Sequence, residues 1–226
     1  MVFVPLNIFE ARYRVLFNTL LSGAEGIDDG LVNESSPFVG SRKFGMCFVD
    51  QSGRVAVTGT VLHIEQHTKL ESGQMIINSK GGERFAIKKI IEERPVLICD
   101  VELLEEAEED AAEASRLAQE LKTLFRDLVT LNLKMKKEKV PADVAEPPEL
   151  TTLSPRDFSF WVAALLQDSP MTQQQLLEED STIKRLQREM DVLGGTVKYL
   201  RATSALESAF APSSGEGSPP PQGGPD

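Results

Sequence analysis

The chain has 226 residues, 41% of them hydrophobic and 26% charged, enough apolar material for a real core in one domain or one domain with an appended helical part. Its 24 Lys and Arg stand against 35 Asp and Glu, a net charge of −11, and a field of that sign repels phosphate backbones and anionic headgroups, excluding nucleic acid and membrane surfaces as partners. No apolar run reaches the roughly eighteen residues of a membrane-crossing helix. Cys47 and Cys99 sit inside apolar runs without a CxxC spacing, which argues for thiols buried in a reducing compartment rather than a disulfide framework or a redox pair. The opening MVFVPLNIFE has neither a charged leader nor transit-peptide composition.

In chain order, a helix is expected from Asn7, which can cap it with Glu10 closing a capping box. Phe9, Tyr13, Leu16 and Leu20 recur at helical spacing, and Glu10 with Arg14 forms an i,i+4 pair. Residues 22–43, rich in Gly, Ser and Asp, read as a long exposed and mobile loop.

From Phe44 to Leu104 the period becomes strand-like. The segments FGMCFV, RVAVTGTVLHIEQH, QMIINSKGGERFAIKKII and PVLICDVELL are rich in β-branched residues, with Gln51-Ser52-Gly53 and Gly81-Gly82 as candidate turns. Four or more short strands suggest a small antiparallel sheet closed toward a barrel.

After Glu105 the pattern turns helical. Six acids between Glu105 and Glu113 and four lysines between Lys134 and Lys139 suit the dipole of one long helix. Ala114, Leu117, Leu121, Leu124, Leu128 and Leu131 form its apolar stripe, and Pro141, Pro147 and Pro148 end it. Ser154-Pro155 and Ser169-Pro170 each pair an N-cap with Pro at the first helical position. The first of these short helices carries Phe158, Trp161, Val162 and Leu165, with Trp161 as the expected core anchor; the second carries Leu176 and Leu177. A last helix from Asp180 or Ser181 carries Ile183, Leu186, Met190, Leu193, Val197 and Leu200, a heptad seam that Gly194-Gly195 weakens. The seam suits an intramolecular bundle, the alternative being a partner helix. The prediction is an α+β chain: a β-rich, barrel-like part over 1–104, a helical bundle over 105–206, and a disordered tail over 207–226.

The segment PLNIFEARYRVLFNTLL (5–21) resembles the opening signature of the Lon protease N-terminal substrate-binding domain. FGMCFVD (44–50), GTVLHIEQHTKLESGQ (59–74), GGERFAIKKI (81–90) and PVLICDVELLEE (95–106) follow in that family's order. Residues 158–206 are similar to the helical part of the stand-alone plant and cyanobacterial Lon-domain proteins. The resemblance implies a PUA-like barrel, a module that binds unfolded or tagged polypeptide in association with a protease or other complex, and a plastid location, the cytoplasm being the alternative. Relative to that family the sequence starts past the first apolar strand expected before Pro5, read either as a late start or as an open sheet edge, and self-association is expected of the chain as given.

Neither of the protease activities is expected. No G-x-x-x-x-G-K-[ST] run occurs in the sequence, and Ser79-Lys80 reads as a polar turn rather than a Ser–Lys dyad. His63, Glu65 and His67 would share one face of a strand, a conceivable metal set, but a solvent-facing polar row is the simpler reading. No metal and no cofactor are expected. Arg12, Tyr13, Arg84 and Phe85 are the candidate substrate contacts, the structural alternative being that Arg14 pairs with Glu10 while Tyr13 and Phe85 pack under the sheet. The function expected is that of a non-catalytic polypeptide-binding module. The competing expectation is an assembly protein that binds one folded partner through the same surface and the last helix.

Overall fold

The structure is a computed structural model that describes residues 3–136, 146–166 and 169–210. Its first half is β1 (Phe3–Ile8), α1 (Ala11–Leu20), a 3-10 turn (Asp29–Leu31), β2 (Lys43–Val49), β3 (Val55–Lys69), β4 (Met75–Glu92) and β5 (Ile98–Leu103). All pairings are antiparallel, and β4 is the spine: β3 runs along one side of it, while β1 and β5 share the other. Met75–Lys80 pair with β1 and Phe85–Glu92 with β5.

The sheet does not close into the expected barrel. A barrel needs its last strand hydrogen-bonded to its first, and among the described residues β2 pairs only with β3 and β5 only with β4. Burial pushes the Cys47 thiol up. The Phe85 ring reaches across β3 toward β2, to where Cβ atoms on Gly59 and Gly45 would stand at 2.5 and 3.0 Å; only glycine admits the ring there.

Two local readings are corrected. Asn7 lies inside β1, not at a helix cap: Pro5 to Ile8 pair with Asn78 to Met75, and these ladder bonds outweigh a local cap. Helix α1 starts one turn later, and Glu10 pairs with Arg12 at 2.8 Å instead of with Arg14. Gly81-Gly82 is no turn either; it lies within the 18 residues of β4, where the register shifts between Thr60 and Leu62. The real β3–β4 turn is 70–74, with Gly73 at φ +77°. Gly53, at φ +82°, does turn β2 into β3.

The loop 22–43 is pinned rather than loose. Asn18 accepts from the Asp28 amide at 2.8 Å, Thr19 accepts from the Asn33 amide at 2.9 Å, and the Gly40 and Arg42 amides donate to the carbonyls of Thr19 and Leu20. Helix α1 seals the neighbouring core: Phe17, Leu20 and Leu21 pack on Ile8, Ile64, Met75 and Ile77, with Phe17 edge-on to Phe44.

The second half comprises α2 (Ala111–Lys136), α3 (Glu149–Thr152), α4 (Pro155–Leu165), α5 (Pro170–Glu178) and α6 (Thr182–Phe210). Asp110 caps α2, Ser154 caps α4 through the Asp157 amide, and Ser181 caps α6 through the Lys184 amide. α2 and α6 run parallel, since Ile183 meets Glu109 at their starts and Arg201 meets Asp127 further along both. The predicted seam is buried within the chain: Leu186 and Leu193 pack with Leu117, Leu121, Leu150, Phe158 and Val162, Ile183 and Met190 pack against that cluster, and Val197 is buried further along. Phe158, fully buried, is the anchor; Trp161 sits half-buried beside it, ring centroids 5.8 Å apart. The proline at 141 and the predicted tail after Phe210 lie outside the described residues.

Candidate functional site

Register assigns the two faces of the sheet. Gly59 pairs with Cys47 and Phe85, Val55 with Val49, Phe85 with Leu103, Ile87 with Val101, and Ile90 with Cys99. Paired residues point the same way and alternate residues share a face. One face, over the half of the sheet distal to α1, is therefore Cys47, Val49, Val55, Val57, Phe85, Ile87, Ile90, Cys99, Val101 and Leu103. It has no polar side chain.

An antiparallel sheet with one face in water ordinarily turns its polar side chains outward. Here the order is inverted. Val57 is 60% exposed, Leu103 56% and Val49 52%, whereas Thr58 and Arg84 on the opposite face are 8% and 2% exposed. The opposite face carries the helices: Gln174 of α5 donates to the Thr58 carbonyl at 3.1 Å, and Arg84 reaches into the helical part. A contiguous exposed apolar patch is where a soluble protein meets a partner.

That patch lies between two strand edges, β2 and β5, that have no strand partner among the described residues. Unpaired edges offer backbone N–H and C=O groups to another chain. The β5 side is acidic. Asp100 and Glu102 alternate with the apolar residues, and Glu92, Glu93, Glu105 and Glu108 flank the strand, all exposed.

A cleft of about 250 Å³ lies on the other face, lined by Phe48, Phe160, Ala163, Pro170, Gln173 and Leu177. Gln173 is spent on the Ala163 carbonyl at 3.1 Å, so the cleft offers few free polar groups to orient a ligand.

The four predicted contact residues do not gather at the open face. Arg12 is exposed, bonded to Glu10 and stacked 4.5 Å from the Tyr13 ring, with Tyr13 packed against the α1 core. Arg84 donates to the carbonyls of Leu177 and Glu179 at 2.7 and 2.8 Å and to Glu106 at 2.7 Å. Phe85 belongs to the open face but is 4% exposed, a floor under the patch rather than a contact. His63 meets Glu83 at 3.3 Å and His67 meets the Glu25 carbonyl at 2.8 Å. A register shift between Ile64 and Gln66 breaks the shared face expected of them. Among the described residues no group of three His, Cys, Asp or Glu side chains is placed to hold a metal. Ser79 is fully buried within β4, so Ser79-Lys80 is a pair of opposite-facing strand residues and not a turn.

Sequence reasoning missed two features. The valines at 55 and 57 alternate with Ala56 and Thr58, a pattern that ordinarily assigns the valines inward. The second is an ionic hub. Glu106 receives Arg84 at 2.7 Å and Arg185 of α6 at 2.8 Å, while Arg185 also donates to Ser159 and the Glu179 carbonyl and lies 3.8 Å from the Phe160 ring centre. This hub ties the sheet to the helices.

The sequence profile of the ATP-dependent protease La (LON) substrate-binding domain matches residues 1–194. A Lon N-terminal domain protein from Xanthomonas campestris superposes with a TM-score of 0.52 at 21% identity, covering 84% of this chain and 89% of that one. The N-terminal domain of the Mycobacterium avium complex Lon protease superposes with a TM-score of 0.53 at 16% identity, covering 85% and 90%. The chain belongs to the family of Lon substrate-binding domains.

Proposed function

We propose that the protein is a binding module that holds unfolded polypeptide on the open apolar face of its sheet and performs no chemistry of its own. Family membership supports the polypeptide-binding class. The observation that favours this face is the inversion of the sheet, with valines and leucine in water and a threonine and an arginine underneath. Apolar side chains on an unfolded chain are out of register with any fixed pattern of polar groups. An apolar surface without polar side chains binds them without leaving a buried donor or acceptor unpaired. Specificity would then be for unfolded state over folded state, because folded proteins keep such side chains inside.

The test uses unrelated polypeptides denatured by reduction and carboxymethylation, with binding followed by fluorescence anisotropy. Several should compete for one site, and Val57→Asp should weaken all of them by about tenfold or more while leaving the circular dichroism unchanged. Native forms of the same polypeptides should not compete. Undiminished binding to the Val57→Asp protein would remove the open face from the account.

A further inference from the structure

We propose that β5 takes up an extended segment of alternating apolar and basic residues as an additional strand; this rests on reading the open face as a polypeptide-binding surface. The outer edge of β5 is unpaired among the described residues, and only β4 bonds to its other side. A segment added to that edge has its side chains fixed by the period of two. One set falls on the open face beside Cys99, Val101 and Leu103. The other set falls on the opposite face beside Asp100 and Glu102.

The chemistry of the second set is set by charge. On β4, Lys88 pairs with Glu102 and Lys89 stands opposite Asp100 in register. Acid on β5 therefore has a lysine on its inner flank and water on its outer flank. A basic side chain on the incoming strand would repeat the β4 pattern across the edge. An acidic one would sit opposite Asp100 or Glu102 and beside the flanking glutamates, a repulsive cross-strand arrangement. The other free edge, β2 (KFGMCFV), carries a lysine and no acid and selects nothing comparable. The edge thus distinguishes segments of equal apolar content by the sign of the residues between.

The probes are short synthetic peptides of alternating valine and lysine, of alternating valine and glutamate, and two further valine–lysine peptides, one with its backbone nitrogens methylated along one edge and one along the other. The valine–lysine peptide should bind about tenfold or more tightly than the valine–glutamate peptide at low salt. The combined change Asp100→Lys and Glu102→Lys, both at exposed positions, should reverse that order. Methylation along the pairing edge should abolish binding and methylation along the other should not. Equal affinity of the two peptides, or methylation without effect on either edge, overturns strand addition at β5. If that happens while Val57→Asp still weakens denatured polypeptides, the open face stands and only its edge reading falls. If Val57→Asp affects neither peptides nor polypeptides, both readings fall. Self-association through β5 that the peptide fails to disperse would make a second copy the occupant and overturn the proposal.

Discussion

The two halves of this chain place their residues in opposite ways. The sheet leaves Val49, Val57 and Leu103 more than half exposed, whereas the helical part keeps Leu121, Phe158, Val162 and Leu186 at 0–1%. The helical part also buries what the sheet face lacks: Arg185 and Glu189 are both 0% exposed. Apolar surface in water costs about 25 cal/mol per Å², and a buried charge costs several kcal/mol unless paired. Each half carries one of these costs, and the two are resolved differently. Arg185 is paired with Glu106 and bonded to Ser159 and Glu179, and Glu106 also receives Arg84 of β4, so the hub docks the halves together. Among the described residues nothing covers the open sheet face, which is the surface the proposed binding uses.

The contrast breaks first at the hub. Glu106→Ala would leave Arg84 and Arg185 buried without their carboxylate and should destabilise the protein by about 3–5 kcal/mol, read as a drop in the urea midpoint. Phe158→Ala should cost about 3–5 kcal/mol through the cavity it opens, and Trp161→Ala, at the rim, should cost less. An equal or larger loss at Trp161 would restore it as the anchor.

Glu189 sharpens the comparison through pH. Neither carboxylate oxygen has a hydrogen-bond partner, and burial pushes its carboxyl up to about 9, against a smaller opposing pull from Arg185. In the unfolded chain it would titrate near 4.3. Between those values the folded state holds a proton that the unfolded state has lost, so stability falls with rising pH, by about 1.4 kcal/mol per unit from this group. Glu189→Met should therefore stabilise the protein at neutral pH by about 1–4 kcal/mol and gain progressively toward pH 8. Identical pH slopes for the two proteins would contradict a buried neutral carboxyl.

The smallest effect belongs to the sheet. Val57→Asp should shift stability by no more than about 1 kcal/mol, because the side chain is already in water. A large loss would mean that the face is covered in solution.

The division into a β-rich part and a helical part is legible in the period of the hydrophobic residues, because 2 and 3.6 are local properties. The helix starts at Ser154 and Ser181 are legible for the same reason: a cap and the amide it accepts are three residues apart. What depends on distant pairing is not. Asn7 reads as a cap until β4 claims it as ladder, and Gly81-Gly82 reads as a turn until β3 runs past it on one side, with β1 pairing up to Lys80 and β5 from Phe85 on the other. The exposure of Val55 and Val57 is not legible because alternation marks two faces without saying which one the helices will cover. Arg84 reads as a surface contact because its acceptors, at Glu106, Leu177 and Glu179, are far along the chain. The family signature spans both halves, yet it identifies the domain and not the surface that binds.

Hydrogen exchange with and without a saturating denatured polypeptide tests the central claim most directly, since it reports on both halves at once. Binding on the open face predicts new protection in residues 55–59 and 98–103 and none in α4, α5 or α6. Protection confined to Phe160, Ala163 and Leu177 around the cleft, with β3 and β5 unchanged, would contradict it.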